Sequence, residues 1–455
     1  MRAMKPADCI PLQSAGFFAC MATKWDSQDI ATGSIPYLSE ENLMSISPRK
    51  LIRYTPTRAV LCSGLLVVTS WTYAGESMSN SISKAIDEGS AALNLRYRFE
   101  HVDQDGIPEE AAASTLRSRL TLKSGTVAGF TGVVEVDNVS YLGDDNFNNT
   151  ENGRSDHAVV ADPDYTEVNQ AYLSYAFGDA GTASVGRQRI NHAGQRFLGG
   201  VGWRQNEQTF DAARIQLTPA DNFTIDYSYI WEVNRIFGPE GPDAEFEGDS
   251  HAAIATYKFG QDHSISGFGY LLDTEEIPGL SSATYGLEYL GNFKVSEDFA
   301  LGVNLSIAEQ SDYEDSPLDY DAGYYFAEVT AKFKPVSIAL GHEVLESDDG
   351  VSFKTPLATL HKFQGFADKF LVTPPGGIED TYIKIATKIA GIKFVVFYHD
   401  FEAESGGMDY GDEIDLVAAY KINDHYSVLF KYAAYDADDF ATDTDKAWLM
   451  LTASF

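Results

Sequence analysis

The sequence predicts an all-β protein, a transmembrane antiparallel up-and-down β-barrel of about 18 strands, with 16 also compatible. Three observations predict it. Apolar and polar residues alternate with period two in segments of about ten residues. The connections between those segments are by turns short and long. The last segment is an aromatic-ended strand that closes on Phe455.

Composition sets the frame for these elements. The 455 residues are 44% hydrophobic with a mean hydropathy of -0.21, enough apolar surface for an ordered protein but too little for a bundle of spanning helices. After the first 90 residues no segment approaches the roughly 20 uninterrupted apolar residues that a spanning helix needs. A barrel escapes that test because only every second residue faces lipid. The formal net charge of -34 excludes nucleic acid as a partner.

From the amino terminus, residues 1–43 resemble no part of an export signal and read as a non-native or mis-started extension, with Met44 as a candidate start. Residues 44–74 read as a signal peptide. Arg49, Lys50, Arg53 and Arg58 precede an apolar core from Ala59 to Trp71, and Thr72-Tyr73-Ala74 supplies a small-residue cleavage site. Cys9, Cys20 and Cys62 all fall in the part that would be removed, which fits an exported chain and excludes thiol catalysis and cysteine metal sites. Residues 75–90 form a periplasmic segment, and 91–455 the barrel.

Phe223 to Trp231 gives the clearest strand: Phe223, Ile225, Tyr227, Tyr229 and Trp231 face lipid while Thr224, Asp226 and Ser228 face the lumen. Leu301, Val303, Leu305 and Ile307 alternate with Gly302, Asn304 and Ser306, and Tyr325, Ala327, Val329 and Ala331 with Glu328, Thr330 and Lys332. Such strands begin near residues 91, 114, 130, 167, 183, 208, 223, 250, 264, 282, 299, 322, 336, 380, 392, 411, 426 and 446. Short turns at 218–222, 259–263, 294–298 and 421–425 take turns with long acidic connections, as periplasmic turns and external loops do. In the last strand Ala447, Leu449, Leu451, Ala453 and Phe455 share an apolar face, the form of a signal read by the barrel-assembly machinery. A soluble antiparallel sandwich would alternate similarly, but it would not carry the signal, the loop asymmetry and the terminal Phe together.

Several motifs carry a family resemblance: Leu95-Arg-Tyr-Arg-Phe-Glu100, Ser114-Thr-Leu-Arg-Ser-Arg-Leu120, Gly186-Arg-Gln-Arg-Ile-Asn191, Gly199-Gly-Val-Gly-Trp-Arg-Gln-Asn206 and Thr355-Pro-Leu-Ala-Thr-Leu-His361. In these the chain is similar to the alginate-export-domain outer-membrane proteins, porin-like 18-stranded barrels. The resemblance implies a passive transport role in the cell outer membrane of a Gram-negative bacterium, amid lipid and lipopolysaccharide; alginate itself it implies only weakly.

Candidate site residues follow from strand parity, since residues two apart share a face. Arg96 and Arg98 with Glu100 fall on the polar face of the first strand, and Arg117 and Arg119 on that of the second. Arg187, Arg189 and Arg214 repeat the theme on the fifth and sixth strands. No arginine follows Arg235, so the guanidinium groups gather on one side of the wall and lysines serve the other. Glu135 and Asp137 on the third strand lie close enough to pair with some of them. This set reads either as an arginine ladder that orients anionic or sugar-like solutes or as charges that neutralise one another and brace the wall. The connection at 348–379 lacks alternation, and Leu357, Leu360, Phe363 and Phe370 give it a short helical, apolar character. It is expected to tuck into the barrel mouth with Lys362 and Lys369 available to solute.

The acidic stretches 143–150, 162–164, 309–315 and 346–350 lack the spacing of a calcium loop and read as solvated loops, so no metal or cofactor is expected. His342 and His399 lie in strands without an evident nucleophile, and the chain is not expected to be an enzyme. The function expected is a passive outer-membrane channel for small hydrophilic solutes, anions or uronate oligosaccharides among them. Its rival is a closed-lumen barrel serving as a surface receptor or adhesin through its external loops.

Overall fold

The computed structural model describes residues 78–241 and 244–455. The extension at 1–43, the signal at 44–74 and the three cysteines lie outside the described residues. Ser81–Phe455 makes one compact unit. A short helix, α1 (Met78–Asp87), precedes the first strand, and its Ala85 carbonyl accepts a 2.7 Å hydrogen bond from the Gly125 amide.

Eighteen antiparallel strands follow: β1 (Ser90–Gln104), β2 (Ala111–Lys123), β3 (Phe130–Tyr141), β4 (Thr166–Ala176), β5 (Gly181–Gln188), β6 (Thr209–Ala220), β7 (Phe223–Asn234), β8 (Glu245–Phe259) and β9 (His263–Leu272). They continue as β10 (Ser282–Lys294), β11 (Phe299–Asp312), β12 (Asp321–Phe333), β13 (Val336–Leu345), β14 (Ile378–Ile389), β15 (Ile392–Glu402), β16 (Asp409–Lys421), β17 (Tyr426–Asp436) and β18 (Thr444–Ser454). Each pairs with its sequence neighbours, and β18 pairs with β1 from Asn94↔Ser454 to Gln104↔Thr444. The sheet is therefore closed and leaves no edge strand to be covered. At the seam the Leu93 and Phe455 backbones exchange hydrogen bonds of 2.9 and 3.0 Å.

Alternation decides the faces as the sequence predicts. Tyr227 is 38% exposed and its neighbour Ser228 is fully buried. Leu305, Ile307, Tyr325 and Val329 likewise point outward and exposed. The interior is polar or aromatic, with Arg98, Glu100, Asp137, Glu413 and Asp415 among its buried groups. Among the described residues no helix is long and apolar enough to cross a membrane; the exposed apolar band lies on the strands.

The short connections recur after every even strand, as at 221–222, 260–262 and 390–391, and the long ones after odd strands, as at 142–165, 189–208 and 346–377. Two details depart from expectation. Arg189 stands just past the end of β5, and residues 309–312 belong to β11 rather than to a loop.

Candidate functional site

Two long connections fold back into the lumen. Residues 189–208 carry fully buried Ile190 and Leu198; residues 346–377 carry Leu357 and Phe370, both buried. Apolar side chains of this kind have no reason to stay in a solvated loop, and the barrel interior offers them aromatic partners. Phe370 packs on Phe401, Tyr410, Tyr435 and Phe440, and Phe197 on Phe268 and Phe353. The helical character expected for the second connection reduces to one 3₁₀ turn at Leu360–Lys362, after a two-residue hairpin ladder of Ser347–Asp348 with Val351–Ser352.

The wall of β1 to β3 grips the first loop. Arg96 donates to Gln205 Oε1 and the Gly202 carbonyl, both at 2.9 Å, and to the Arg204 carbonyl. Arg98 donates to the Trp203 carbonyl at 2.8 Å and to Asp162 at 2.9 Å, and lies 4.2 Å over the Trp203 ring. Glu100 accepts from Arg204. Asp162 reaches in from the connection at 142–165 and also accepts from the Gln205 amide at 2.8 Å. The stretch 162–164 is thus no solvated loop at Asp162, which is fully buried, and within 143–150 Phe147 and Asn149 are buried as well.

Below this grip sits a second cluster. Arg119 binds Asp137 through two hydrogen bonds of 2.7 and 2.5 Å and Glu207 through one of 2.7 Å, with Glu135 at 3.6 Å. Arg189 joins Glu207 and, at 3.1 Å, Glu135. Burial pushes the Glu207 carboxyl up, but Arg119 and Arg189 outweigh it and hold the group down at about 2. Arg214 pairs with Asp226 on the lumen side of β6 and β7. Arg187 stands apart. Strand alternation gives it the face of Val185, which is 52% exposed, and it pairs with Asp211 at 2.8 Å and Glu232 at 3.2 Å.

Arg117 differs from the rest. It lies directly opposite Arg96 in the β1–β2 ladder, is buried, and gives one hydrogen bond, to Asn94 at 2.8 Å. Its Nε and Nη1 have no hydrogen-bond partner. Arg96 in turn is met by carbonyl oxygens rather than a carboxylate. This ladder row therefore keeps more positive charge than its neighbours.

The two loops meet each other at the centre. The Gly199 amide bonds the Leu357 carbonyl at 2.9 Å, the Thr359 amide bonds the Gln195 carbonyl at 3.0 Å, and the Thr359 hydroxyl bonds Gln195 Oε1 at 2.7 Å. Asp368 receives His361 at 2.7 Å, Lys446 at 2.9 Å and Arg204 at 3.4 Å, joining both loops to the β18 wall. Burial raises the Asp368 carboxyl, and its neighbours His361, Lys446 and Arg204 overcome this to place it well below the usual range. Lys431 donates to His361 Nε2 at 2.7 Å inside a cage of Trp203, Phe366 and Trp448. Val201 holds φ at +48°, an unfavourable conformation for a β-branched residue. Its amide is fixed by the Thr359 hydroxyl at 3.2 Å.

Lys362 remains exposed, with Nζ on the Gly194 carbonyl at 2.8 Å. Lys369 donates to Thr444 at 2.6 Å and is turned toward the wall; burial first and Lys446 second push its ammonium down to about 8. Lys384 on β14 pairs with Glu328 at 3.1 Å and is a third exposed. His399 has an orienting carboxylate, Asp380, at 2.8 Å, but its other ring nitrogen faces Asp415 at 3.8 Å and not a hydroxyl.

Sequence reasoning missed Asp162, Trp203, Arg204, Gln205, Glu207, His361, Asp368, Lys431 and Lys446 as site residues. Lys431 and Lys446 share strand faces with Ala433 and Trp448, so parity alone could have found them. The run Gly199 to Asn206 carries Gly, Trp, Arg and Asn in one connection, the composition of a binding loop.

Residues 88–230 match the alginate export family, and no curated protein matches at a significant level. Among solved structures, OccAB2 of Acinetobacter baumannii is similar with a TM-score of 0.66 at 15% identity, over 82% of this chain and 99% of its own. OccK9 (OpdG) of Pseudomonas aeruginosa gives 0.66 at 16%, over 82% and 99%. OpdL of the same organism gives 0.63 at 16%, over 81% and 99%. These neighbours are outer-membrane β-barrel porins, and the likeness is one of fold.

Proposed function

We propose that this porin-type barrel is a passive outer-membrane channel whose constriction, built by residues 189–208 and 346–377, favours small hydrophilic anions, uronate oligosaccharides among them. The observation that carries the reading is the Arg96–Arg117 ladder row. Two guanidinium groups face each other with only carbonyl and amide oxygens in contact. In a low-dielectric wall such charge is felt across the lumen.

The other arginines divide by role. Arg98 and Arg119 are spent on carboxylates and on loop anchoring; Arg189 also pairs with Glu207 and Glu135 but keeps 30% of its side chain exposed, and it and Lys362 are open enough to touch solute. A partly exposed guanidinium and an exposed ammonium near one constriction suit a carboxylated sugar, whose hydroxyls find hydrogen-bond partners in the polar wall. The acidic exterior opposes simple anion accumulation, so selection belongs to the lumen and not to the mouth.

Reversal potentials in a potassium chloride gradient test this reading. The protein refolded in a planar bilayer is expected to prefer anions, with the preference falling in Arg189→Ala and Lys362→Ala and a uronate oligosaccharide blocking the wild-type current. A cation preference unchanged by both substitutions would refute it.

A further inference from the structure

Among the described residues, one pair of buried carboxyl groups is met by none of the constriction's arginines, and its one ion pair is to a histidine of the wall, His399. Glu413 and Asp415 stand two apart on β16, on the lumen face, and both are fully buried. Glu413 Oε1 accepts hydrogen bonds from two successive amides of the inward loop, Phe366 at 2.5 Å and Ala367 at 2.8 Å. Gln364, Gly365 and Asp368 all have positive φ, +55°, +78° and +61°. The loop is thereby curled into a backbone concavity of the kind that binds anions. Here the anion comes from the wall. The fit is close: a Cβ on Gly365 would lie 2.3 Å from Glu413 Oε2.

The remaining oxygens have no donor. Glu413 Oε2 and both carboxyl oxygens of Asp415 are buried without a hydrogen-bond partner, and strand parity sets the two side chains next to each other on one face. Two adjacent buried carboxylates repel strongly, and one proton between them converts that repulsion into a hydrogen bond. The groups around the pair are mixed. His399 on β15 lies 3.8 Å from Asp415 and is itself held by Asp380. Lys431 on β17 is turned to His361, and Lys369, Asp368 and Tyr435 complete the surroundings.

We propose that Glu413 and Asp415 form a proton-loaded latch that positions the constriction loop: the shared proton keeps the Glu413 carboxylate seated in the 364–368 concavity, and its loss frees the loop and widens the pore. Asp415 donates the proton to Glu413 Oε2, leaving Oε1 for the two amides. When that proton leaves to solvent, two like charges share one dry pocket, and the loop end moves away to let water in. The inference rests on the channel reading for its consequence, but not for its mechanism.

The test therefore has two readouts on the refolded chain between pH 5 and 9. Amide exchange of residues 363–370, corrected for the intrinsic pH dependence, reports the loop; unit conductance reports the pore. Single-proton linkage changes the ratio of released to latched loop by up to about tenfold per pH unit, so both are expected to rise with pH. Asp415→Asn, which keeps a permanent donor, is expected to hold exchange and conductance at the low-pH values throughout. Glu413→Gln and Gly365→Ala are expected to give the released behaviour at every pH. The latch is overturned if wild-type exchange shows no excess pH dependence, or if Asp415→Asn, Glu413→Gln and Gly365→Ala all titrate as wild type. Steady conductance with an untitrated loop refutes the latch alone. A titrating loop in a barrel that never conducts supports the latch and refutes the channel.

Discussion

Trp203 lies flat on His361, ring centroids 4.2 Å apart and planes within 10°. One residue comes from the connection after β5 and the other from the connection after β13. The stack is flanked by two cations, Arg98 at 4.2 Å and Lys431 at 4.3 Å from the indole, which makes it the place where wall and loops hold one another.

Trp203→Ala removes the stack and both cation contacts, each worth about 0.5–2 kcal/mol. The loops should separate while the 18 ladders persist. Unit conductance is expected to rise, with the heat-modifiable gel shift of the folded barrel unchanged; unchanged conductance would remove Trp203 from the constriction.

Arg119→Ala leaves Asp137 buried without its cation and takes one of two arginines from Glu207 and Glu135. Breaking a buried ion cluster from one side costs about 3–5 kcal/mol. Unfolding in urea is expected to shift by that amount, whereas Arg119→Lys, which cannot make the two-pronged contact with Asp137, should recover only part of it.

How far the sequence reached depends on which rule each element obeys. Strand starts obey alternation, and the expected starts at 130, 223, 282, 299, 336, 392 and 426 coincide with those of β3, β7, β10, β11, β13, β15 and β17. The pairing of Arg119 with Asp137 was also legible, since both share the lumen face of adjacent strands. What parity cannot give is where a loop goes. Glu207, Trp203 and Asp368 reach the site by non-local folding of irregular chain. Arg187 shows the converse limit: membership of an Arg-x-Arg pair placed it inward, while β5 ends before the second arginine and puts the first on the outer face.

Arg117→Met tests the uncompensated charge. A buried cation without a carboxylate partner carries a desolvation cost that an apolar chain of similar length does not, so the urea midpoint should hold or rise. Anion preference should nevertheless fall. A loss of stability like that of Arg119→Ala would mean that Arg117 has a partner.

Acid should loosen the first loop through Glu207. Its carboxyl is depressed to about 2 against an ordinary value near 4.3. A depressed carboxyl contributes stability that is fully present above its unfolded value and lost as pH falls toward the folded one. Protease resistance of residues 189–208 is therefore expected to be level from pH 7 to about 5 and to decline between about 4 and 2. Glu207→Gln should start lower and lose that decline.

In the proposed channel the inward loops narrow a continuous lumen and do not seal it. Single-channel recording of the refolded chain in planar bilayers, with Arg96, Arg98, Arg117 and Arg119 changed to alanine alongside, tests it most directly. Steady open currents are expected in the wild type, and a larger, less anion-preferring conductance in the quadruple variant. A correctly inserted wild-type barrel that never conducts would contradict it and identify the molecule as a closed surface barrel.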